Sequence, residues 1–285
     1  MKTISTIVEL QKQIRNLHFT PVGYVATMGA LHEGHLSLVT RAVKQCPLVV
    51  ISIFVNPTQF NDKNDLKNYP RTIDDDLKLL SKVLRETDIV FTPDEKEMYP
   101  EKDEREFHFG NLEKVMEAPL RPGHFNGVAQ VVSKFFDIIK PDIAFFGQKD
   151  FQQVAVIREL VRQTRIKTTI VACPIIREKD GLAMSSRNRL LEPEIRKEAS
   201  IIFKTISQAS SMFAEKEIPE IKSFVRNSIN KVKGFNVEYF EIVDDTELVP
   251  VVSKTDLKEG KRYFGCIALQ AGKIRLIDNI EMGLV

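Results

Sequence analysis

The sequence predicts an α/β fold: a doubly wound, parallel, Rossmann-like sheet domain followed by a smaller α+β C-terminal domain. Three observations predict it. Short apolar runs of strand length at residues 22–27, 48–55, 143–146 and 168–173 alternate with segments of helical period. Glycine-containing polar loops follow two of those runs, at Gly29 and Gly147, as strand-to-helix junctions in parallel sheets do. After about residue 177 the alternation stops, and two helical stretches are followed by three strand-like ones.

The elements follow in order. After the run at 22–27, Leu36, Val39, Val43 and Cys46 fall on one helical face, and the continuous apolar run at 48–55 reads as a buried strand. Such a unit implies a right-handed crossover. Residues 73–86 carry Leu77, Leu80 and Leu84 on one stripe, and 88–91 form a short strand. Residues 125–139 are apolar nearly all round, which predicts a buried helix. The run at 143–146 ends in Gly147. Residues 150–163 place Val154, Ile157 and Val161 inward, and 168–173 close the first domain, taken as 1–176. In the second domain, 177–285, surface helices are expected at 193–214 and 219–232, and strands at 235–243, 263–270 and 273–277, with a hairpin turn at 270–273. The charged stretch 95–106 reads as a solvated loop.

Charge and cysteine usage exclude several classes. With 41 basic and 39 acidic residues the net charge is +2, so nothing drives the chain as a whole toward nucleic acid or a membrane surface. Cys46, Cys173 and Cys266 are far apart, each in an apolar stretch. They match no zinc spacing and suit buried, reduced thiols. Residues 1–17 lack the apolar core of a signal peptide, and no run approaches the ~20 apolar residues of a spanning helix. The expectation is a cytoplasmic protein.

Five segments carry chemistry. The first, 27–35, is Thr-Met-Gly-Ala-Leu-His-Glu-Gly-His, where the first long strand gives way to a helix. Ligands bind at the carboxyl ends of such strands, and a helix N-terminus offers free N–H groups to phosphate. His32 and His35 can donate to phosphate oxygens there, and Gly34 admits close backbone approach. Taken alone, the same residues would more readily make a helix cap with two exposed histidines. The second is Met184-Ser185-Ser186-Arg187, whose hydroxyls and guanidinium can clamp a triphosphate. The third, 146–153, places Lys149 as a mobile charge for phosphate beside Asp150, at once a helix cap. The fourth, 52–60, offers the neutral amides Asn56 and Gln59 at a strand end, and the fifth, 121–128, is a rigid Arg-Pro-Gly-His loop entering the buried helix.

Taken together, His-x-Gly-His and Met-Ser-Ser-Arg, in this order and separation, resemble the paired motifs of the nucleotidylyltransferase and class I synthetase superfamily. With 55–60, 69–72, 121–128, 146–153 and 180–188, the first two-thirds of the chain resembles the pantothenate synthetase (pantoate–β-alanine ligase) family. The resemblance implies attack of the (R)-pantoate carboxylate on the α-phosphate of ATP, with Mg²⁺ accompanying the triphosphate. β-Alanine then displaces AMP from the pantoyl-adenylate. It implies that Met28, Gly29, Ala30, Leu31, His32, Glu33, Gly34 and His35 line the ATP site, with His32, His35, Lys149 and Arg187 catalytic. Gly147, Gln148, Lys149 and Asp150 would hold ATP, Ile176 would meet adenine, and Met184, Ser185, Ser186 and Arg187 would close over the triphosphate. Gln59 and Gln153 would bind pantoate, and Gln59 also β-alanine. No metal ligand from the protein is implied, and a homodimer is.

Two features depart from the family pattern. Gln148 stands where many relatives carry Glu, and Pro119 in Glu117-Ala-Pro-Leu120 could reshape the loop before Arg121. Gly181 is a candidate hinge for closure of the second domain. Another nucleotidyltransferase would leave the nucleotide on its product, and a mere nucleotide sensor would have no need of two histidines, Lys149 and Arg187 together.

Overall fold

The computed structural model describes residues 1–61 and 63–284. Two sheets organise it. The first has six parallel strands in the order β1-β4-β3-β2-β5-β6: β1 (Lys2–Ile4), β2 (Val22–Thr27), β3 (Leu48–Ile53), β4 (Ile89–Phe91), β5 (Ile143–Gly147) and β6 (Thr169–Cys173). The second is an antiparallel meander of β7 (Phe235–Asp244), β8 (Arg262–Ala271) and β9 (Ile274–Leu284).

Strand alternation sends side chains to opposite faces of the large sheet. Val22, Tyr24, Leu48 and Val50 join one apolar cluster, with α1 (Ile7–Leu17), α7 (His124–Ile139) and α8 (Phe151–Thr164). Val25, Val49 and Ile51 join the other, beneath α2 (Glu33–Gln45) and α4 (Ile73–Leu80). Both faces are therefore covered, as a doubly wound sheet requires. Strand order runs outward from β2 to β3 and β4 on one side, then resumes with β5 and β6 on the other. The loops after β2 and β5 part at this reversal, which opens the crevice where such folds bind ligands.

The remaining helices are short connectors, α3 (Lys63–Asn68), α5 (Glu95–Met98) and α6 (Glu117–Leu120), and the three that follow β6. Of these, α10 (Ser200–Met212) and α11 (Ile218–Asn230) do more than lie on a surface. Ile202, Ile206, Ile218, Ile221, Val225 and Ile229 bury one face of the small sheet. Val243, Phe264 and Cys266 from that sheet enter the first core instead, and Phe264 packs on Phe151 at 4.6 Å between ring centroids.

Several boundaries differ from the sequence reading. The helix expected over 73–86 ends at Leu80 and continues only as turns, and the one expected over 193–214 divides at Ala199 into α9 (Pro193–Glu198) and α10. The hairpin turn is the two residues Gly272-Lys273, and β9 runs to Leu284, well beyond 277. The elements β1 and α1 were not expected, since three strand residues and a polar helix leave little periodic signal. The charged stretch 95–106 is only partly solvated: it opens with α5, and the Asp103 carboxylate is buried against Arg105 at 2.7 Å and faces Lys134 at 3.7 Å. All three cysteines are buried and unpaired. Among the described residues no helix is long and apolar enough to cross a membrane.

Candidate functional site at the sheet reversal

The loop Met28–Leu31 turns sharply between β2 and α2, with Gly29 and Ala30 both at positive φ. Asp76, nearly fully buried on α4, holds that turn: its carboxylate accepts the N–H groups of Ala30 (3.0 Å) and Leu31 (2.8 Å). His32 then caps α2. Its Nδ1 accepts the Gly34 N–H at 3.1 Å, and the His32 N–H donates to His35 Nδ1 at 3.3 Å. A Cβ on residue 34 would lie 2.8 Å from the His32 ring, so glycine is required there for the ring to fold back.

Because both Nδ1 atoms accept, the proton of each neutral imidazole is assigned to Nε2. The rings sit 4.1 Å apart between centroids. Burial and then the Lys149 charge push His32 down to about 4; burial, His32 and Lys149 push His35 down to about 3. At neutral pH they are a pair of uncharged donors.

Two cavities meet here. The outer, of about 700 Å³, is lined by Ala30, Leu31, His32 and Glu33 on one side and by Met184, Ser185, Ser186 and Arg187 on the other. The inner, of about 210 Å³, is lined by Met28, His35, Gln59, Asp150 and Gln153, with an apolar wall of Val128, Val131, Val132 and Phe135. Tyr69 and Arg187 line both. The histidine pair thus straddles the junction, His32 toward the outer space and His35 toward the inner.

Gln59 is set by buried Asn56, whose amide donates to Gln59 Oε1 and to the Gly127 carbonyl, each at 3.1 Å, while Tyr99 donates to Asn56 Oδ1 at 2.8 Å. The Gln59 amide reaches Met28 Sδ at 3.1 Å. Arg121 and His124 also line the inner cavity. Pro119 lies within α6 and does not turn Arg121 away from it. Burial lowers the Arg121 pKa, and His124, which donates from Nδ1 to the Gln59 carbonyl at 2.8 Å, is lowered to about 4 by burial and the nearby Arg121 charge.

Lys149 faces a third, small cavity of about 40 Å³, together with Arg121, Asp150, Gln153, Asp278 and Asn279. Burial depresses its pKa. Gly29, Gly34, Gly147 and Ile176 shape backbone and do not line these spaces; Ile176 accepts the Met184 N–H at 2.9 Å. The Gln148 side chain lies elsewhere, in a cleft of about 70 Å³ beside Arg158, Asp245 and Arg262.

The Met184–Arg187 segment leaves a hairpin in which Arg177 bridges Ala183. Gly181 sits in its turn at φ +95°, where a Cβ would meet Phe203 at 2.6 Å. Arg196 grips Glu178 at 2.6 Å and Asp180 at 2.5 Å, and Asn188 holds Glu178 at 2.6 Å. A hinge at Gly181 is therefore not what the packing provides: the turn is clamped to α9 and α10. Among the described residues no three His, Cys, Asp or Glu side chains converge as a metal cage.

Residues 2–281 match the family model described as pantoate-beta-alanine ligase. The chain belongs to the pantoate–β-alanine ligase family. It is 49% identical over 284 residues to the pantothenate synthetase of Azobacteroides pseudotrichonymphae, covering 98% of this chain and 99% of that one. Among solved structures it is similar to pantothenate synthetase from Thermus thermophilus, with a TM-score of 0.89 at 37% identity over 99% of each chain. It is similar also to pantoate-beta-alanine ligase from Francisella tularensis complexed with beta-gamma ATP and beta-alanine, with a TM-score of 0.79 at 33% identity over 99% of this chain and 98% of that one. Membership in this ligase family extends the resemblance over the C-terminal third, where the motifs were weakest.

Asp76, Arg121, His124, Asp278 and Asn279 were not assigned roles from sequence. Arg121 and His124 lie inside one of the five chemical segments. Asp76 is one of three consecutive aspartates, and helical period is the signal that could have found it: it stands four residues before Leu80 and seven before Val83, on the apolar face that Asp74 and Asp75 do not share.

Nitrogen NMR of the free protein at pH 6 should show His32 and His35 neutral and protonated at Nε2. Titration of either near 6.5, or an Nδ1–H form, would contradict the assignment.

Proposed function

We infer that this chain condenses (R)-pantoate with β-alanine at the expense of ATP, giving pantothenate, AMP and diphosphate through a pantoyl-adenylate. The observation that carries the reading is the junction of the two cavities. A nucleotide triphosphate suits the outer space, with Ser185, Ser186 and Arg187 on one wall and a helix N-terminus on the other. A small branched hydroxy acid suits the inner one, where valines offer an apolar wall and Gln59 and Gln153 offer amides. The carboxylate and the α-phosphate then meet at the histidine pair.

In the first step a pantoate carboxylate oxygen bonds to the α-phosphorus and diphosphate leaves. Negative charge builds on the non-bridging oxygens, and fixed donors placed there lower the barrier. His32 and His35 supply such donors without carrying charge, while Lys149 and Arg187 supply the cations. Neutral amides position the attacking carboxylate without quenching it as an arginine pair would. Proton transfer by His35 is secondary, since burial and its neighbours keep that ring neutral. Mg²⁺ would enter with ATP as part of the substrate and would offset part of the triphosphate charge.

In the second step the β-alanine ammonium loses a proton to solvent, the free amine bonds to the adenylate carbonyl carbon, AMP leaves with the bridging oxygen, and the second nitrogen proton passes to solvent. Arg121, which lines the inner cavity with Gln59 and Gln153 and not the outer one, suits the β-alanine carboxylate. We assign residues 1–176 to ATP and pantoate and treat residues 177–285 as the lobe that covers them. Because the hairpin turn is clamped, closure would carry hairpin and small sheet together and exclude water from the adenylate. The cytosol, where ATP and reduced cysteines coexist, suits this activity. A homodimer is proposed on family grounds, and a sedimentation experiment showing only monomer at micromolar concentration would refute it.

Steady-state kinetics test the roles. Lys149→Ala and His35→Ala should each lower adenylate formation ~10²–10³-fold, as loss of one preorganised donor does, with the fold retained. Arg121→Ala should raise the KM for β-alanine while leaving pantoate-dependent ATP–diphosphate exchange near native. Native turnover in the first two, or equal loss of both steps in the third, would remove these assignments.

A further inference from the structure

The middle of β9 breaks its apolar run with Asp278 and Asn279, 4% and 2% exposed. Polar side chains this buried need a reason. Both reach beyond their own sheet. The Asn279 amide donates to the carbonyls of Gln148 (2.9 Å) and Lys149 (3.1 Å), the two residues at the exit of β5. Asp278 accepts two bonds from Arg177, at 2.6 and 3.0 Å, and Arg177 also donates to the Asn279 carbonyl at 3.2 Å. Arg177 in turn opens the hairpin that carries Ser185, Ser186 and Arg187, bridging Ala183 across it and stacking over Phe203 at 3.8 Å.

One strand segment therefore grips both phosphate-facing loops: the Lys149 loop through Asn279, and the Arg187 hairpin through Asp278. The two loops follow neighbouring strands of the large sheet, β5 and β6, but the hairpin itself pairs with neither sheet, and the strand that touches both loops belongs to the small one. Asn279 Oδ1 is also buried with no protein partner, and it belongs to the wall of the 40 Å³ space that Lys149, Arg121 and Asp150 line.

We propose that Asn279, supported by Asp278 and Arg177, is a positioning residue for adenylate formation, fixing the Lys149 loop in register with the Arg187 hairpin so that both meet one triphosphate. It touches no substrate itself. The inference rests on the reading that Lys149 and Arg187 contact ATP phosphates.

Loss of the amide would release two carbonyls and let Lys149 drift relative to Arg187. Misplacement on the order of 1 Å costs ~10²-fold in rate. The test is steady-state kinetics on full-length Asn279→Ala and Arg177→Gln, with Lys149→Ala in parallel. In Asn279→Ala we expect kcat to fall ~10–10²-fold and the KM for ATP to rise, with the KM for pantoate unchanged, because Gln59, Gln153 and the valine wall are untouched. Arg177→Gln should show the same split in smaller degree. A fall in kcat matching only the folded fraction, with both KM values native, would mean that Asn279 merely stabilises the fold and would overturn the proposal. So would equal rises in both KM values. Should Asn279→Ala fail to fold, Arg177→Gln decides on the same criterion. If Lys149→Ala itself keeps native kinetics, the assignment of the phosphate site fails instead, and with it the ground of this inference.

Discussion

Two buried bonds from the backbone to Asp76, and two more to histidine Nδ1 atoms, set the site. The carboxylate of Asp76 turns the chain after β2 so that α2 begins at the sheet reversal. The backbone of that first turn then donates to His32 and His35, leaving each ring a single proton, on Nε2. Everything placed around the junction depends on this. A ring that could protonate freely would bring a positive charge into a pocket already holding Lys149, Arg121 and Arg187. Burial, and after it the Lys149 charge, holds both pKa values well below neutrality, and the rings serve as neutral donors over the whole physiological range.

The second constraint is that the large and the small sheet share no hydrogen-bonded strand. Contacts between them are few and specific. Phe264 on Phe151 supplies apolar packing. Glu117, on α6, pairs with Arg275 of β9 at 2.7 and 2.8 Å and accepts from Tyr239 of β7 at 2.6 Å. Burial pushes the Glu117 carboxyl up, but the Arg275 and Tyr239 bonds outweigh it and leave it below the usual carboxylate range. That contribution is present above the unfolded carboxyl pKa and is lost as pH falls through the lowered one. The same α6 leads into Arg121, so the clamp also sets a residue of the inner cavity.

Much of this was legible in the sequence. The β2–α2 and β5–α8 junctions announced themselves because a strand-length apolar run, a glycine and a polar cluster fall together, and that combination has one common meaning in parallel sheets. The inner-cavity valines were legible only as a buried helix, since 125–139 is apolar on every side and periodicity cannot say which face meets a substrate. Asp278 and Asn279 were invisible for a different reason. Their partners lie about 100 residues away in Arg177 and about 130 away in Gln148 and Lys149, and no local pattern encodes a contact of that range. Gly181 shows the converse. A flexible residue type suggested a hinge, whereas a φ of +95° and the close approach of Phe203 are reason enough for glycine there.

The central claim is that the two cavities bring an acid carboxylate onto the α-phosphate of ATP. It is tested most directly by isotope transfer. Pantoate labelled with ¹⁸O in its carboxylate is turned over with ATP and β-alanine, and the released AMP is analysed by mass spectrometry. The account predicts one ¹⁸O in each AMP, carried from the carboxylate through the acyl-phosphate bond. Unlabelled AMP, formed at the same rate as pantothenate, would contradict it.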